Sequence, residues 1–284
     1  MAWERVLYEK DGYIVKITQN RPEKHNAQDA LMLEELQEAF IEADRDEEVR
    51  VVILTGAGRS FSAGHDIGGT GLPAKGIEMQ TKLQGLEMRI KREKYIFYDE
   101  ALALRNISKP SIAAVRGACL AGGLMVAAMC DIIMASETAF FGSPEIRMTP
   151  ATGEVLVEPW EVGVRKAKEM VLTGESINAQ EAYRLGLVNH VVPDDKLEEE
   201  TLKMAHKICA TDPITASLLK RSLNQTLDVM GQRASFEYHF LIHQMSHSTE
   251  AARRFQEQVG GPARARGGLR EFLKARDGVY GEQS

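Results

Sequence analysis

Only three cysteines occur in the 284 residues, Cys119, Cys130 and Cys209, and no two form a CxxC pair. This removes a vicinal redox or metal motif and predicts reduced core thiols in a cytoplasmic protein. No apolar run reaches the roughly 18 residues that a membrane span needs. The opening residues, MAWER, lack a basic segment followed by an apolar one, so no signal peptide is expected. Basic residues are in the minority, 35 Lys and Arg against 41 Asp and Glu, and they form no stripe. Phosphate binding needs a concentrated basic face, so a nucleic-acid partner is not expected. The sequence has no P-loop, no GxSxG elbow and no HExxH helix. Gly56-Ala57-Gly58 follows an apolar strand like a dinucleotide fingerprint, but its sixth position is Phe61 and no helix starts there.

What is present suits a large globular core, since 44% of residues are hydrophobic and 27% charged. Residues 13–18 and 49–55 read as strands, and Asn26 as the cap of a helix from Ala27 to about Asp44. A loop carrying Gly56, Gly58, Gly64, Gly68, Gly69 and Gly71 comes next, followed by a long helix over about 79–105. Short strands at 111–115 and about 132–135 flank a glycine turn and a helix starting near Gly122. Strand, loop and helix alternate, which predicts an α/β layout with parallel strands. After Gly163 come a helix ending at Gly174, one capped by Asn178 and closed by Gly186, and a last strand over 187–192. The rest reads as helical, with breaks at Pro213, Gly231 and Gly260-Gly261-Pro262.

His239, His243 and His247 share one helix face at four-residue spacing. No carboxylate lies between them, and one straight helix presents two well-placed ligands at most. A helix–helix contact is therefore expected, and no metal site. Two glycine-bearing stretches each follow a strand, 61–67 (FSAGHDI) and 120–125 (LAGGLM). Gly64 lets the His65 amide point outward, and Gly122 opens a helix where unpaired N–H groups gather. Facing loops of this kind form an oxyanion hole; by spacing alone, tight turns with a small-residue helix contact are the favoured reading.

These stretches, continued as RGACLAGGLMVAAMCDIIMASETAFFGSPEI over 116–146, resemble the two signatures of the crotonase (enoyl-CoA hydratase/isomerase) superfamily. NRPEKHNAQ at 20–28 resembles its first turn, and 166–193 resembles the segment after its active site. The resemblance spans about residues 6–274. It implies a ββα spiral core over 1–195 with the active site. It also implies a C-terminal helical segment over 196–284 for trimerisation and pocket closure. The implied oxyanion donors are the amides of His65 and Gly122, acting on a CoA-thioester carbonyl. Backbone contacts to CoA are implied at Lys24, His25, Ala63, His65, Asp66 and Ile67. Coenzyme A is part of the substrate, so no separate cofactor is expected.

Ordinary hydratases of this superfamily carry two glutamates. The second matches Glu145; the first falls on Met125, which cannot exchange protons and is expected only to line the substrate site. Residues 149–154 replace the family's glycine-rich stretch and are about two residues shorter. Glu154, or Glu158, is the candidate for the missing acid, against a reading of Glu154 as a helix N-terminal acid. The expected function is an enoyl-CoA hydratase-like lyase acting through an enolate. The alternatives are a one-acid enoyl-CoA isomerase, a CoA-thioester hydrolase and an acyl-CoA-binding protein without turnover. A homotrimer or dimer of trimers is expected through the helices over about 211–275, with Phe236, Phe240, Leu241, Phe255, Leu269 and Phe272 as its surplus apolar residues. Residues 79–98 are expected to line or cover the acyl pocket.

Overall fold

The computed structural model describes residues 3–68, 85–148 and 152–280. Strands β1 (Val6–Asp11) and β2 (Ile14–Gln19) form a hairpin around Gly12, whose φ of 56° suits glycine. From β2 the large sheet continues in parallel through β3 (Val51–Gly56), β4 (Ser111–Val115), β6 (Ile132–Ser136) and β9 (His190–Val192). A smaller sheet holds β5 (Ala118–Leu120), β7 (Phe140–Gly142) and β8 (Ser176–Asn178). Single bridges between Ser62 and Cys119, and between Gln28 and His65, extend this second row beside β5. Successive turns of the chain thus give one strand to each row and then a helix, which is the ββα spiral implied by the sequence.

Both faces of the large sheet are covered, which explains the near-continuous apolar runs of its strands. Val15, Val52, Leu54, Ala113 and Val115 pack on one side with α1 (Ala30–Arg45), α3 (Glu100–Asn106) and α4 (Gly122–Ala128). Ile14, Val51, Ile53, Ile112 and Met134 pack on the other with α8 (Leu197–Cys209). Helix α2 (Gly85–Glu93) runs into α3 through a π-helical stretch, Lys94–Asp99. The short α5 (Glu158–Glu161) leads to α6 (Val164–Thr173) and α7 (Ala179–Leu185), and Gly174 and Gly186 end these last two in left-handed conformations.

Several boundaries differ from expectation. Asn26 does not cap α1; Asp29 does, its Oδ1 accepting from the Met32 amide at 2.9 Å. Asn26 has φ 53° and instead ties the first turn together, accepting from Arg21 N and donating to Ala57 O and Ser60 O. The strand expected over 187–192 forms only at His190–Val192. Part of the predicted 79–105 helix lies outside the described residues.

The C-terminal helices are α9 (Pro213–Val229), α10 (Gln232–Ser246), α11 (Glu250–Phe255) and α12 (Gly261–Asp277). Gly260-Gly261-Pro262 does not break the chain's helical course; the break sits at Gly267 and Gly268, whose φ of 64° is left-handed. Phe236, Phe240 and Phe272 are buried within the chain itself and so are not surplus for a partner. Leu241 and Leu269 of the expected set are exposed, and further open apolar surface lies at Leu218, Leu219, Leu223, Val229 and Met230. No described helix is long and apolar enough to cross a membrane.

Candidate active site

The site begins with two glycines that bring two backbones into contact. Gly64 has φ 87°, and a Cβ there would lie 2.7 Å from Ala121 Cβ and 3.2 Å from the Gly122 nitrogen. A Cβ at Gly122 would collide with the His65 ring at 2.4 Å and with Gln28 Oε1 at 2.8 Å. Gln28 pairs with the flanks of His65, donating to Gly64 O and accepting from Asp66 N, both at 2.8 Å. In that parallel bridge the His65 N–H points away from Gln28. Gly122 opens α4, where no helical acceptor exists for its N–H. Two amide donors that meet no acceptor among the described residues are therefore held at adjoining turns, the arrangement that binds a developing oxyanion.

The first turn and the 63–67 turn lie side by side. Ala63 N donates to His25 O at 2.9 Å, and the left-handed His25 is braced by Ser60 and Arg59. Lys24 and Ala63 are exposed at this mouth. The Asp66 carboxylate is occupied by Arg21 at 3.0 Å, and its amide by Gln28 O. The Ile67 carbonyl accepts from Arg264 at 2.7 Å. A cavity of about 550 Å³ opens next to Ile67, bounded by Arg89, Met148, His247, Arg264 and Phe272.

The acids sit behind. Glu145, in the 3₁₀ turn Pro144–Met148, is 8% exposed, and Glu154 is 3% exposed. Glu154 belongs to no helix, so it is not a helix N-terminal acid. A Cβ on Gly153 would touch Glu145 Oε1 at 3.4 Å, so the turn of Glu145 packs against the loop that carries Glu154. Among the described residues the Oε2 atoms of Glu145 and Glu154, like that of Glu158, are buried without a hydrogen bond. Burial, reinforced by the charges of Glu158 and Glu154, pushes Glu145 up to about 8. Glu158 is spent on structure: Ser143 Oγ and Thr152 Oγ1 both donate to its Oε1. Met125 is 2% exposed and packed into the main core.

His65 joins the two corners. Its Nδ1 lies 3.7 Å from Glu154 Oε2, while its ring stacks on Phe97 of the π-helical stretch with centroids 4.0 Å apart. Burial lowers the ring's pKa, so it is a neutral wall of the site.

The histidine face of α10 meets the end of α2 at Glu93, as expected of a helix–helix contact, and it also grips the loop that carries Glu154. His239 Nε2 donates to Gly153 O at 3.0 Å, and His243 Nδ1 to Thr152 O at 2.7 Å. His243 Nε2 faces Glu154 Oε1 at 3.7 Å and Glu93 Oε2 at 3.6 Å. Burial alone would lower its pKa, but Glu93 and Glu154 reverse this and raise His243 to about 9. Glu93 and Phe97 fall in the 79–98 stretch expected at the acyl pocket, though nothing in the sequence singles them or Gln28 out. The four-residue histidine spacing was the one available signal for α10.

Residues 9–264 match the family model described as enoyl-CoA hydratase/isomerase. The chain belongs to the enoyl-CoA hydratase/isomerase family. A putative enoyl-CoA hydratase of Mycobacterium tuberculosis is 40% identical over 259 residues, covering 87% of this chain and 81% of that one. A short-chain-enoyl-CoA hydratase of Clostridium acetobutylicum is 37% identical over 228 residues, covering 79% and 83%. Among solved structures, an enoyl-CoA hydratase/isomerase from Xanthobacter autotrophicus superposes with TM-score 0.87 at 34% identity, covering 98% of this chain and 99% of that one. Position 125, where the sequence resemblance implies a glutamate, holds a methionine packed into the core.

Proposed function

We propose that the protein is an enoyl-CoA hydratase in which Glu154 takes over the work of the acid missing at position 125. The observation carrying this is the pairing of two buried glutamates, Glu145 and Glu154, whose Oε2 atoms make no hydrogen bond among the described residues, with Glu154 Oε2 3.7 Å from the His65 ring. CoA enters past Lys24, His25 and Ala63, held by the backbone of residues 63–67. The thioester carbonyl accepts from the two amides, which stabilise the enolate as it forms. Glu154 accepts a proton from water as the water oxygen bonds to Cβ. Glu145, protonated because burial raises it to about 8, delivers its proton to Cα. The two carboxyls exchange one proton to reset, so the sum is addition of water across one double bond. His239 and His243 are positioning residues that hold the 152–154 loop.

Met125 favours one other reading, a one-acid isomerase in which Glu145 alone carries a proton between two carbons. A spectrum separates the two. With 2-enoyl-CoA, hydration removes the enoyl-thioester absorbance; with 3-enoyl-CoA, isomerisation creates it. Loss of the band from 2-enoyl-CoA at a rate proportional to enzyme supports the hydratase. Appearance of the band alone would assign the isomerase, and no change with either substrate would leave only binding. Assembly as a trimer or dimer of trimers belongs to the same proposal, supported by the open apolar residues of α9 and α10.

A further inference from the structure

Helix α10 ends in a cluster that the hydration chemistry does not use. His243 Nε2 and His247 Nε2 are 3.1 Å apart, and Glu93 Oε2, from the end of α2, is 3.6 Å from His243 Nε2. All three donor atoms lie within 4.8 Å of one another. A carbonyl oxygen can only accept, so the contact from His243 Nδ1 to Thr152 O at 2.7 Å fixes the proton on Nδ1. Its Nε2 faces a carboxylate at 3.6 Å and a second imidazole at 3.1 Å, and offers them a lone pair once the Nε2 proton is displaced. Gln244 Nε2 donates to Glu93 Oε2 at 2.7 Å and orients that carboxylate. A ligating histidine that donates its other N–H to a carbonyl, beside a hydrogen-bonded carboxylate, is the outer-shell pattern of metal sites.

Three lone-pair donors pointed at one spot repel each other unless a cation lies between them. A proton on His243 Nε2 satisfies one of the lines of contact, whereas a divalent ion satisfies all three. Tetrahedral coordination at bond lengths of about 2.0–2.1 Å separates ligand atoms by about 3.3 Å, and the observed 3.1 and 3.6 Å bracket that value. The carboxylate comes from a different helix, which is why the histidine spacing alone argued against a site.

We propose that Glu93, His243 and His247 form a binding site for a divalent cation of zinc type at the junction of α2 and α10. Two imidazoles and one carboxylate are a ligand set suited to Zn²⁺ or Co²⁺ and poorly suited to Mg²⁺ or Ca²⁺. His247 also borders the cavity beside Ile67, so the site has a path to solvent. A bound ion would fasten α2 to α10 and lie beside Glu154, whose Oε1 is 3.7 Å from the same His243 nitrogen.

The test uses chelator-treated, full-length protein titrated with ZnCl₂ by calorimetry and with CoCl₂ by visible absorption. Binding of one ion per chain with micromolar or tighter affinity is expected, with an intense visible band for the tetrahedral Co²⁺ form. Glu93→Gln, which keeps the side-chain shape, and His247→Ala should each weaken Zn²⁺ by at least about 100-fold. The absence of saturable binding to the parent protein would overturn the proposal. So would one-ion binding that survives unchanged in either variant, since the ion would then sit elsewhere. Melting temperatures of the metal-free variants check folding, and Glu93→Gln keeps the test decisive if His247→Ala does not fold.

Discussion

The two corners of this site are built in different ways. The oxyanion corner consists of main chain: the His65 and Gly122 amides, fixed by the φ of 87° at Gly64 and by the start of α4. It carries no titrating group and tolerates no Cβ. The acid corner consists of side chains drawn from the turn after β7, the 152–154 loop and α10, with burial setting their protonation. A backbone site can be moved only by moving the fold. A side-chain site can do without one acid, and on the proposed reading Glu154 does the work expected of an acid at Met125. The corners should therefore fail differently when perturbed.

The largest loss is expected at the oxyanion corner. Gly122→Ala puts a methyl group into the His65 ring and Gln28 Oε1, so kcat should fall by about 10²–10³-fold, the usual cost of an oxyanion donor. A Glu145-dependent pH profile unchanged in this variant, measured at its reduced rate, would show that the acid corner is independent. A smaller effect is expected from His239→Ala. It removes a hold on Gly153 O without removing a reacting group, so kcat should fall by about 10-fold with KM nearly constant. Full rescue by His239→Gln would mark the role as positioning.

The smallest effect concerns pH. Glu145 lies above an unfolded carboxyl value of about 4.3, so the folded state holds its proton where the unfolded state has lost it. Stability contributed by this group therefore falls as pH rises from about 4 through about 8. Glu145→Gln should raise Tm by a few degrees at about pH 9 and leave it unchanged at about pH 4. In the wild type the acid-requiring rate should decline above about pH 8, and that decline should be absent from the residual activity of Glu145→Gln.

The oxyanion corner was legible in the sequence because its requirement is local. Glycine at 64 and 122 after a strand is a statement about a few consecutive residues, and the family resemblance turned it into a site. Glu145 was legible for the same reason, in its Pro-Glu pair. Glu154 could be named but not decided, since its place depends on contacts with α10, more than 80 residues away. The histidine face was seen as a contact surface, and it is one, but the partners are a loop and a carboxylate that no periodicity reveals. The Asn26 cap failed because the chain stays extended for three more residues, while Gln28 pairs with the flanks of His65. The π-helical stretch that presents Phe97 to His65 has no local sequence signature either.

The central claim is that Glu154 replaces the acid absent at Met125, and steady-state hydration of 2-enoyl-CoA by Glu154→Gln tests it most directly. The side-chain volume is kept and only the carboxylate is lost. The account predicts a fall in kcat of about 10²–10⁴-fold with KM little changed, close to the loss in Glu145→Gln. It predicts further that Met125→Glu, placing a charge in a packed core position, gives the wild type no gain. Hydration by Glu154→Gln at the wild-type rate would contradict it.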